Sequence, residues 1–557
     1  MNKKLLAGLL IATIMVSGLS GCTPKDTTQE VSTEVKTASE LFDENGKYKE
    51  MITVTGIGSY GGGTAEDPNF PKDVTIEKFP YLDALRENLN INFERLWLAP
   101  AEQFAQKFGV AMASGDLPDI MQVSSVDYEI LKENGQLADL SGTLQYANDT
   151  LKEYLSKDPS VLESLKDPDG KLYVIPQYFD TRREMNMLYI RQDWLDELGL
   201  QVPKTVEKLE QVMKAFMEKK NAKQGIALSG SSVVDWGNDV RGLLNMFGAA
   251  PGAWLDQGGK LVAGEVQPEA KDGLTMLAKW YKDGLINKEF VTMDVGKAQQ
   301  GIIAGETGII VGPWWLYESC MNLAMQKDPA AKWTTAPIPS FEGKGKPMVP
   351  RVAVAKYFVV NSECKNPEAL VKLMNFSIES NLNAKEYVKK GYKWQWDPGY
   401  YVDPFDIQTV YDKFNKALEA DPTATGEAPA DFTEQEKSWW DDMDDFIEYT
   451  KGNTALAKDK EGIFGVINAR IYNKGGWAAA MEFAKPENVM YNEFYGAPTE
   501  TMKEKSSTLS KLRDETYLKI IMGELPIDAF DKYVEDWTKL GGEEITQEVN
   551  EWYSSNK

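Results

Sequence analysis

The sequence predicts an α/β protein built from at least two lobes. Three observations carry that expectation. The chain has 557 residues, more than one hydrophobic core usually supports at about 100–200 residues per domain. Its 42% hydrophobic and 26% charged composition is that of an ordinary globular protein. Short β-branched runs alternate with segments whose apolar residues recur at three- and four-residue steps, which is the pattern of strand–helix–strand units in an open, mainly parallel sheet.

In chain order, Met51 to Thr55 reads as a strand running into glycines, and Tyr81 to Leu89 as a helix with Leu82, Leu85 and Leu89 on one face. Ile91 to Leu98 is the next strand, Phe104 to Met112 the next helix, and Ile120 to Val123 a short buried strand after the Gly115–Pro118 turn. Leu172 to Ile175 and Met187 to Ile190 are strands, the second leading into a helix over Asp193 to Leu198 that Gly199 can cap. Pro203 and Thr205 mark the start of a helix whose inner face is Val206, Leu209, Val212, Met213, Phe216 and Met217. Ile226 to Leu228 is a further strand. Near the end, Ile527, Phe530, Tyr533, Val534, Trp537 and Leu540 trace a helix that Gly541-Gly542 should stop. The polar, acidic, Trp-bearing stretch 403–445 is expected to be a helical insertion.

Composition excludes much chemistry. Sixty-one Lys and Arg face 85 Asp and Glu, a net charge of −24 that repels nucleic acid and other polyanionic partners. The chain has no histidine, which removes Ser-His-Asp and Cys-His catalysis, two-His metal sites and imidazole pH switches. The N-terminus reads as an export signal: Lys3 and Lys4, then the apolar Leu5 to Val16, then small residues to Cys22. The apolar stretch falls short of the ~20 residues a membrane-spanning helix needs. Residues 23–39 are polar and nearly free of large apolar side chains, the composition of a flexible tether. Cys320 and Cys364 are expected as two separate buried thiols, with a disulfide between them left open.

Several motifs invite a chemical reading. Gly56-Ile57-Gly58-Ser59-Tyr60-Gly61 fits the spacing of a dinucleotide fingerprint, but Gly62, Gly63, Pro68 and Pro71 follow where a helix should open onto a phosphate. The segment is better read as a strand-end loop bordering a ligand crevice, with Tyr60 as a candidate contact. Asp167-Pro168-Asp169-Gly170 resembles the start of a calcium loop; Lys171 and Tyr178 stand at the fifth and twelfth positions, so a turn is expected instead. The acids of Trp439-Trp440-Asp441-Asp442-Met443-Asp444-Asp445 are read as a solvated helix face rather than a cation site. No pair of carboxylates is singled out as a glycosidase acid and base. Aromatic residues beside glycine, proline and acids stand out instead: Trp236, Trp314-Trp315 after Gly312-Pro313, Trp394 and Trp396 around Gln395 and before Asp397-Pro398, and Gly476-Trp477. Such loops suit sugars, whose C–H faces pack on aromatic planes while their hydroxyls meet polar side chains.

Taken together, these segments resemble the family 1 extracellular solute-binding proteins of ABC importers, in particular the large lipoprotein branch of Gram-positive bacteria. The resemblance rests on the lipobox-like Leu19-Ser20-Gly21-Cys22, on Ala113 to Ile120, Asp169 to Pro176, Tyr189 to Leu200 followed by Pro203 and Thr205, Gly305 to Gly308 before Pro313-Trp314, and on Lys519 to Gly523, Phe530-Asp531 and Ile545 to Tyr553. It implies a type II periplasmic-binding-protein-like fold of two α/β lobes joined by crossover strands. It implies cleavage before Cys22, lipidation of that residue, and anchoring on the extracellular face of the cell membrane. The expected boundaries are a signal over 1–21, a tether over 22–45, a first lobe over 46–175 and about 311–350, and a second over 176–310 and about 351–557. The implied function is capture of a carbohydrate, an oligosaccharide, and its delivery to a membrane permease by a non-enzymatic monomer that needs no cofactor and no metal. A receptor for peptides or another organic solute, and a secreted glycoside hydrolase or lyase, are the alternatives. Carried over position by position, the resemblance nominates Ser124, Ser125, Gln177, Tyr178, Asp180, Trp314 and Trp315 as ligand contacts. Trp394 and Trp396 replace the Gly-Xaa-Glu-Gly segment of many relatives.

Overall fold

A computed structural model describes residues 37–60, 73–167, 169–235, 237–382, 396–460 and 462–556. The chain divides into residues 1–41, of which the described part is a short helix over Ala38–Leu41, and residues 42–557. The signal segment and Cys22 lie outside the described residues. Everything below concerns the second unit.

Two groups of strands organise it. In the first, β1 (Ile52–Tyr60) pairs in parallel with β2 (Ile91–Pro100). The connecting helix, Pro80–Leu89, starts on a proline at its first turn, buries Tyr81, Leu82, Leu85 and Leu89, and ends at Asn90 with φ 56°. Helix Ala101–Ser114 then leads through Gly115, φ 79°, to β3 (Ile120–Val123). Thr55 of β1 and Asp119 at the start of β3 exchange hydrogen bonds: the Thr55 hydroxyl and amide donate to Asp119 Oδ2 at 2.6 and 2.8 Å. β4 is Ile175–Tyr178. The core here is formed by Phe108, Met121, Val123, Tyr128, Leu131, Leu172, Val174 and Val359.

In the second group β5 (Met187–Arg191) leads into helix Gln192–Leu198, closed by Gly199 at φ 64°. Thr205 caps helix Val206–Lys220 by accepting from the Lys208 amide, and Val206, Leu209, Val212, Met213 and Phe216 are buried along it as the spacing predicts. A hairpin follows, β6 (Trp254–Asp256) against β7 (Leu261–Ala263). β8 (Ile309–Gly312) and β9 (Trp333–Ala336) flank β5 on either side, both antiparallel to it. β10 (Met348–Pro350) pairs with the late strand β12 (Met490–Asn492), and β11 (Val354–Val360) returns to the first group. The C-terminal helices Glu500–Met522, Ala529–Trp537 and Glu543–Asn556 pack Leu509, Tyr517, Ile520, Ile521, Phe530, Tyr533, Trp537, Ile545 and Val549 onto this second core.

The chain passes from one group to the other at residues 179–186, and returns before β11. Each passage leaves the same mark. β11, the first strand after the return, lies antiparallel between β3 and β4; β5, the first after the outward crossing, lies antiparallel between β8 and β9. The outer strands of each trio therefore run parallel to one another. Parallel pairing is found in β1–β2 and β10–β12, whereas both pairings within each trio are antiparallel, through one reversed strand that periodicity does not reveal.

Strand pairing also corrects the expected lobe boundaries. Segment 311–350, assigned to the first lobe, supplies the last residues of β8 and all of β9, which pair with β5. The start of segment 351–557, assigned to the second, supplies β11, which pairs with β3 and β4. The outward crossover follows Tyr178 rather than Ile175. Pro176 is accommodated because β4 is an edge strand, where the missing amide forfeits no ladder bond. Leu172 makes only an isolated bridge to Lys166, closing the turn over Asp167–Gly170, with Gly170 at φ 82° and Asp167 bonded to Lys132; this is the expected turn. Ile226 to Leu228 contributes a single parallel bridge, Ala227 to Ile310, not a strand. The helix expected to stop at Gly541-Gly542 instead kinks at Gly541, φ 127°, and resumes.

The insertion expected over 403–445 is helical and extends to about Ile471: helices Asp406–Ala420, Glu434–Trp440, Met443–Thr450 and Ile463–Arg470 enclose their own core of Phe414, Phe432, Trp439, Trp440, Phe446, Phe464 and Ile467. Its acids are partnered from within, Lys460 reaching Asp442 and Asp445 at 2.7 and 2.5 Å. Cys320 and Cys364 are both free thiols, each pushed up to about 12 by burial. Gly56 and Gly58 of the dinucleotide-like motif lie inside β1, and Gly61 lies outside the described residues: a Cβ at Gly56 would fall 2.3 Å from the Phe93 ring and one at Gly58 2.9 Å from Leu98, so these two glycines admit side chains of β2.

The second core presents one clear titration. Burial alone would raise the Glu210 carboxyl, but hydrogen bonds from Lys214, Lys279 and the Trp280 indole outweigh it and hold the group at about 2. A carboxyl depressed in the folded state stabilises above its unfolded value and loses that contribution as pH falls. In urea unfolding, Glu210→Gln should therefore be less stable than the parent by a constant amount from pH 5 to 7. That difference should close between pH 4.5 and about 2.

Candidate functional site

The outward crossover opens with Asp180, whose carboxylate accepts from the Arg182 amide and pairs with the Arg182 side chain, forming a single 3-10 turn over Thr181–Glu184. That turn directs Arg182 and Arg183 to the same neighbourhood. The Arg183 guanidinium lies over the Phe179 ring at 4.3 Å and the Trp314 ring at 5.7 Å, and donates to Asp406 Oδ1 at 2.8 Å. Arg182 lies over Trp477 at 5.2 Å.

Trp314 follows β8 through Gly312-Pro313, and Tyr189 of β5 fixes that approach by donating its hydroxyl to the Pro313 carbonyl at 2.9 Å. The Trp314 ring meets Trp477 edge to face, centroids 5.9 Å apart and planes at 83°. Arg470, the last residue of the insertion's final helix, lies over Trp314 at 5.2 Å and grips Glu318 with two nitrogens, while its third approaches Asp406 at 3.7 Å. Burial opposes the charge on Arg470, but Glu318 and Asp406 overcome it and hold the group above its ordinary range. Backbone closeness requires glycine at 476, where a Cβ would sit 2.3 Å from the Trp314 carbonyl oxygen. The indole nitrogen of Trp314 is buried with no hydrogen-bond partner among the described residues.

Tyr400 joins this cluster to a cavity. Burial, with Asp406 and Asp397 nearby, pushes its hydroxyl up against the opposing Arg183 and Arg470, and its ring lies 5.2 Å from Lys356 Nζ. A cavity of about 350 Å³ lies along β1, β2, β3 and the first residues of β11, and Ser59, Arg95, Gln122, Lys356, Trp396 and Asp397 line it among others, with Phe93 and Phe104. Arg95 donates to the carbonyls of Ile76 and Trp396 at 3.0 and 2.6 Å, and burial lowers it to about 10 against Glu77 and Asp397. Burial likewise lowers Lys356 to about 8 against Asp397. Asp397 accepts from the Ser377 hydroxyl at 2.7 Å and the Gly399 amide at 2.9 Å.

The nominated residues separate on these facts. Trp315 is half-buried with its ring edge where a Cβ on Gly237 would stand, 2.9 Å away, and Trp396 lines the cavity edge to face with Phe79 at 5.5 Å. Trp314 is 2% exposed, so its ring has no open face for stacking and serves as the centre of the arginine cluster. Ser124 caps helix Ser125–Glu133, accepting from the Asp127 amide, and Ser125 is that helix's first residue. Gln177 is fully buried and spends its amide on Val402, donating to the carbonyl and accepting from the amide at 3.3 and 3.1 Å. The Tyr178 hydroxyl is used by the Tyr154 carbonyl and the Asp158 amide, and Asp180 by Arg182. The side chains of Gln177, Tyr178 and Asp180 thus bond within the protein at the crossover. Tyr60 ends β1, its side chain lying outside the described residues together with Trp236 and Trp394. The reading from sequence missed Arg95, Arg183, Lys356, Tyr400, Asp406 and Arg470; the adjacent Arg182-Arg183 beside the nominated Asp180 was the one local signal available.

A profile of bacterial extracellular solute-binding proteins matches residues 74–380. The chain belongs to this family. Across 505 residues it is 25% identical to lipoprotein LipO of Bacillus subtilis (strain 168), covering 88% of this chain and 91% of LipO. It is also 25% identical to the polygalacturonan/rhamnogalacturonan-binding protein YtcQ of the same organism, over 87% and 89% of the two chains. The crystal structure of alginate-binding protein AlgQ2 without calcium ion superposes with a TM-score of 0.61 at 17% identity, over 91% of this chain and 98% of that one. The fold is thus the α/β, two-lobe, type II periplasmic-binding-protein-like architecture.

The burial of Trp314 sets a measurable contrast. Trp314→Ala removes a ring packed on Trp477, Arg183 and Arg470 and should cost about 3–5 kcal/mol in chemical denaturation. Trp315→Ala, at a half-buried ring, should cost less than half of that.

Proposed function

We propose that this solute-binding protein is the lipid-anchored extracellular receptor of an ABC importer, and that its solute is an oligosaccharide. The observation that carries the reading is the 350 Å³ cavity along β1–β3 and β11, where the indole of Trp396 stands beside Ser59, Gln122 and Asp397. Apolar C–H faces of a pyranose pack on such a ring, and hydroxyls meet Ser59, Gln122 and Asp397. YtcQ, similar over 87% of this chain, is named for binding polygalacturonan and rhamnogalacturonan. The lipobox-like tetrad ending at Cys22 and the polar segment after it support anchoring through two or three acyl chains, which together hold a membrane at ~0.8 kcal/mol per buried methylene.

The mechanism asks for no bond chemistry. A solute drives closure only by binding the closed arrangement more tightly than the open one, so contacts from both groups of strands are what convert binding into a shape the permease reads. Delivery to a membrane permease then follows with the solute unaltered.

Thermal-shift screening against plant and microbial oligosaccharides tests this directly, since a ligand of the folded state raises the melting temperature. One or more oligosaccharides should do so, and Trp396→Ala should weaken binding about tenfold by calorimetry. A shift with peptides alone, or sustained release of shorter sugars on incubation, would overturn the assignment in favour of a peptide receptor or a hydrolase. For the anchor, Cys22→Ala should move the protein from the membrane fraction to the medium; retention on the membrane would remove the lipid from the account.

A further inference from the structure

We propose that Glu133 and Lys503 form a latch between the two lobes, one that opens and recloses and makes closure sensitive to salt. The proposal needs only the two-lobed fold and goes beyond the identity of the solute. Glu133 is the last residue of helix Ser125–Glu133, whose Tyr128 and Leu131 are buried in the first core. Lys503 closes the first turn of helix Glu500–Met522, whose Leu509, Tyr517, Ile520 and Ile521 belong to the second core, with Met502 packed against it. Lys503 Nζ donates to Glu133 Oε1 across 370 positions of sequence, so the ion pair ties a helix of one core to a helix of the other.

Each partner stands at the wrong end of its own helix. A helix carries partial negative charge at its C-terminus and partial positive charge at its N-terminus, so the local dipole opposes both Glu133 and Lys503. Charges placed in this way gain from a partner outside the helix, and here each finds it in the other. The cation next to Glu133, Lys132, turns instead to Glu129 and Asp167 within the first lobe. Two locally unfavourable choices thus agree once the lobes are together, and neither helix alone accounts for them.

The second partner of Lys503 makes the contact a latch and not a fixed joint. Glu500, three residues back in the same helix, also accepts from Lys503 Nζ, at 2.9 Å. The Lys503 side chain is 9% exposed, and a cation so covered is left uncompensated at large cost if it loses every anion. Glu500 travels with it, so parting the lobes removes one carboxylate and leaves the other in place. Glu133, half exposed, returns to water. Burial works against the charge on Lys503, but its hydrogen bonds to Glu133 and Glu500 outweigh that and raise the amine above its ordinary range. An ion pair open to solvent on one side is weak, and salt weakens it further, the Debye length falling from about 8 Å at physiological ionic strength to about 3 Å at 1 M. Weakness suits the role. The apparent affinity for a solute scales with the population of the arrangement that holds it, so a small bias toward closure tunes capture without preventing release.

The test reads the separation of the lobes with no solute present. Nitroxide labels go on Lys152→Cys, in helix Asp149–Ser156 of the first lobe, and Lys282→Cys, at the end of helix Pro268–Lys282 of the second, both exposed positions. The purified chain carries alanine at Cys22, Cys320 and Cys364, and pulsed dipolar spectroscopy gives the distances. At low salt the shorter distance should dominate, and about 1 M NaCl should raise the ratio of longer to shorter about three- to fivefold. Lys503→Met and Glu133→Gln should each produce that change at low salt and abolish the response to added salt, and the double variant should go no further than either alone. Lys505→Met, on the same helix but paired with Glu504, should behave as the parent does. Melting temperatures identify any variant that fails to fold, and Glu133→Gln, at a half-exposed side chain, then carries the test. Unchanged distances in both single variants, or a salt response that survives them, overturn the latch. Failure of every oligosaccharide in the screen above would overturn the carbohydrate reading and leave these distances as they are.

Discussion

A buried guanidinium that loses its partner leaves an uncompensated charge, and the structure around the crossover is organised so that this never happens. Arg470 is tied to Glu318 and Asp406, Arg183 to Asp406, and Arg182 to Asp180. Breaking one such pair costs several kcal/mol, whereas the intact set is worth far less than the sum of its Coulomb terms. The network is therefore better understood as a device of geometry than of stability. It forces the crossover turn, the segment after β8, the approach to the insertion and the insertion's last helix into one arrangement. Trp314 and Trp477 fill the space the arginines enclose.

That arrangement separates two kinds of polar site. Around Trp314 each arginine is matched by a carboxylate of the protein, so the region offers a ligand no net charge. Around Trp396 the arginine is matched by carbonyls, and burial lowers the lysine against the pull of Asp397. The two neighbourhoods thus hold their cations by different partners. The helical insertion sets this contrast, because Asp406 begins its first helix and Arg470 ends its fourth. Its own aromatic core holds those two ends together without help from the strands.

Local features of the fold were legible because their causes are local. Thr205 caps a helix since its hydroxyl reaches an amide three residues on, and Gly199 closes one since only glycine enters the left-handed region freely. The apolar face of residues 206–217 appears as the spacing demands. The chain segments of the nominated residues were legible, whereas the partners of each side chain were not. Gln177, Tyr178 and Asp180 do lie at the crossover, but each is consumed by backbone or by a neighbouring arginine. Tryptophan beside Gly312 and Pro313 suggested exposure at 314; the ring is instead buried, and a different glycine, Gly476, presses against that tryptophan's carbonyl.

By itself the sequence determined the exclusion of imidazole chemistry, the helix caps, and the alternation of strand and helix that defines the class. Each of these depends on residues within a turn or two of one another. Only the tertiary structure decided which strand is reversed in each sheet, which tryptophan is buried, and which cations are neutralised. Those outcomes turn on pairs such as Arg183 with Asp406, 223 residues apart, and Arg470 with Glu318, 152 apart. No periodicity records such a pairing, because its energy exists only once burial has removed the water that would otherwise solvate both partners.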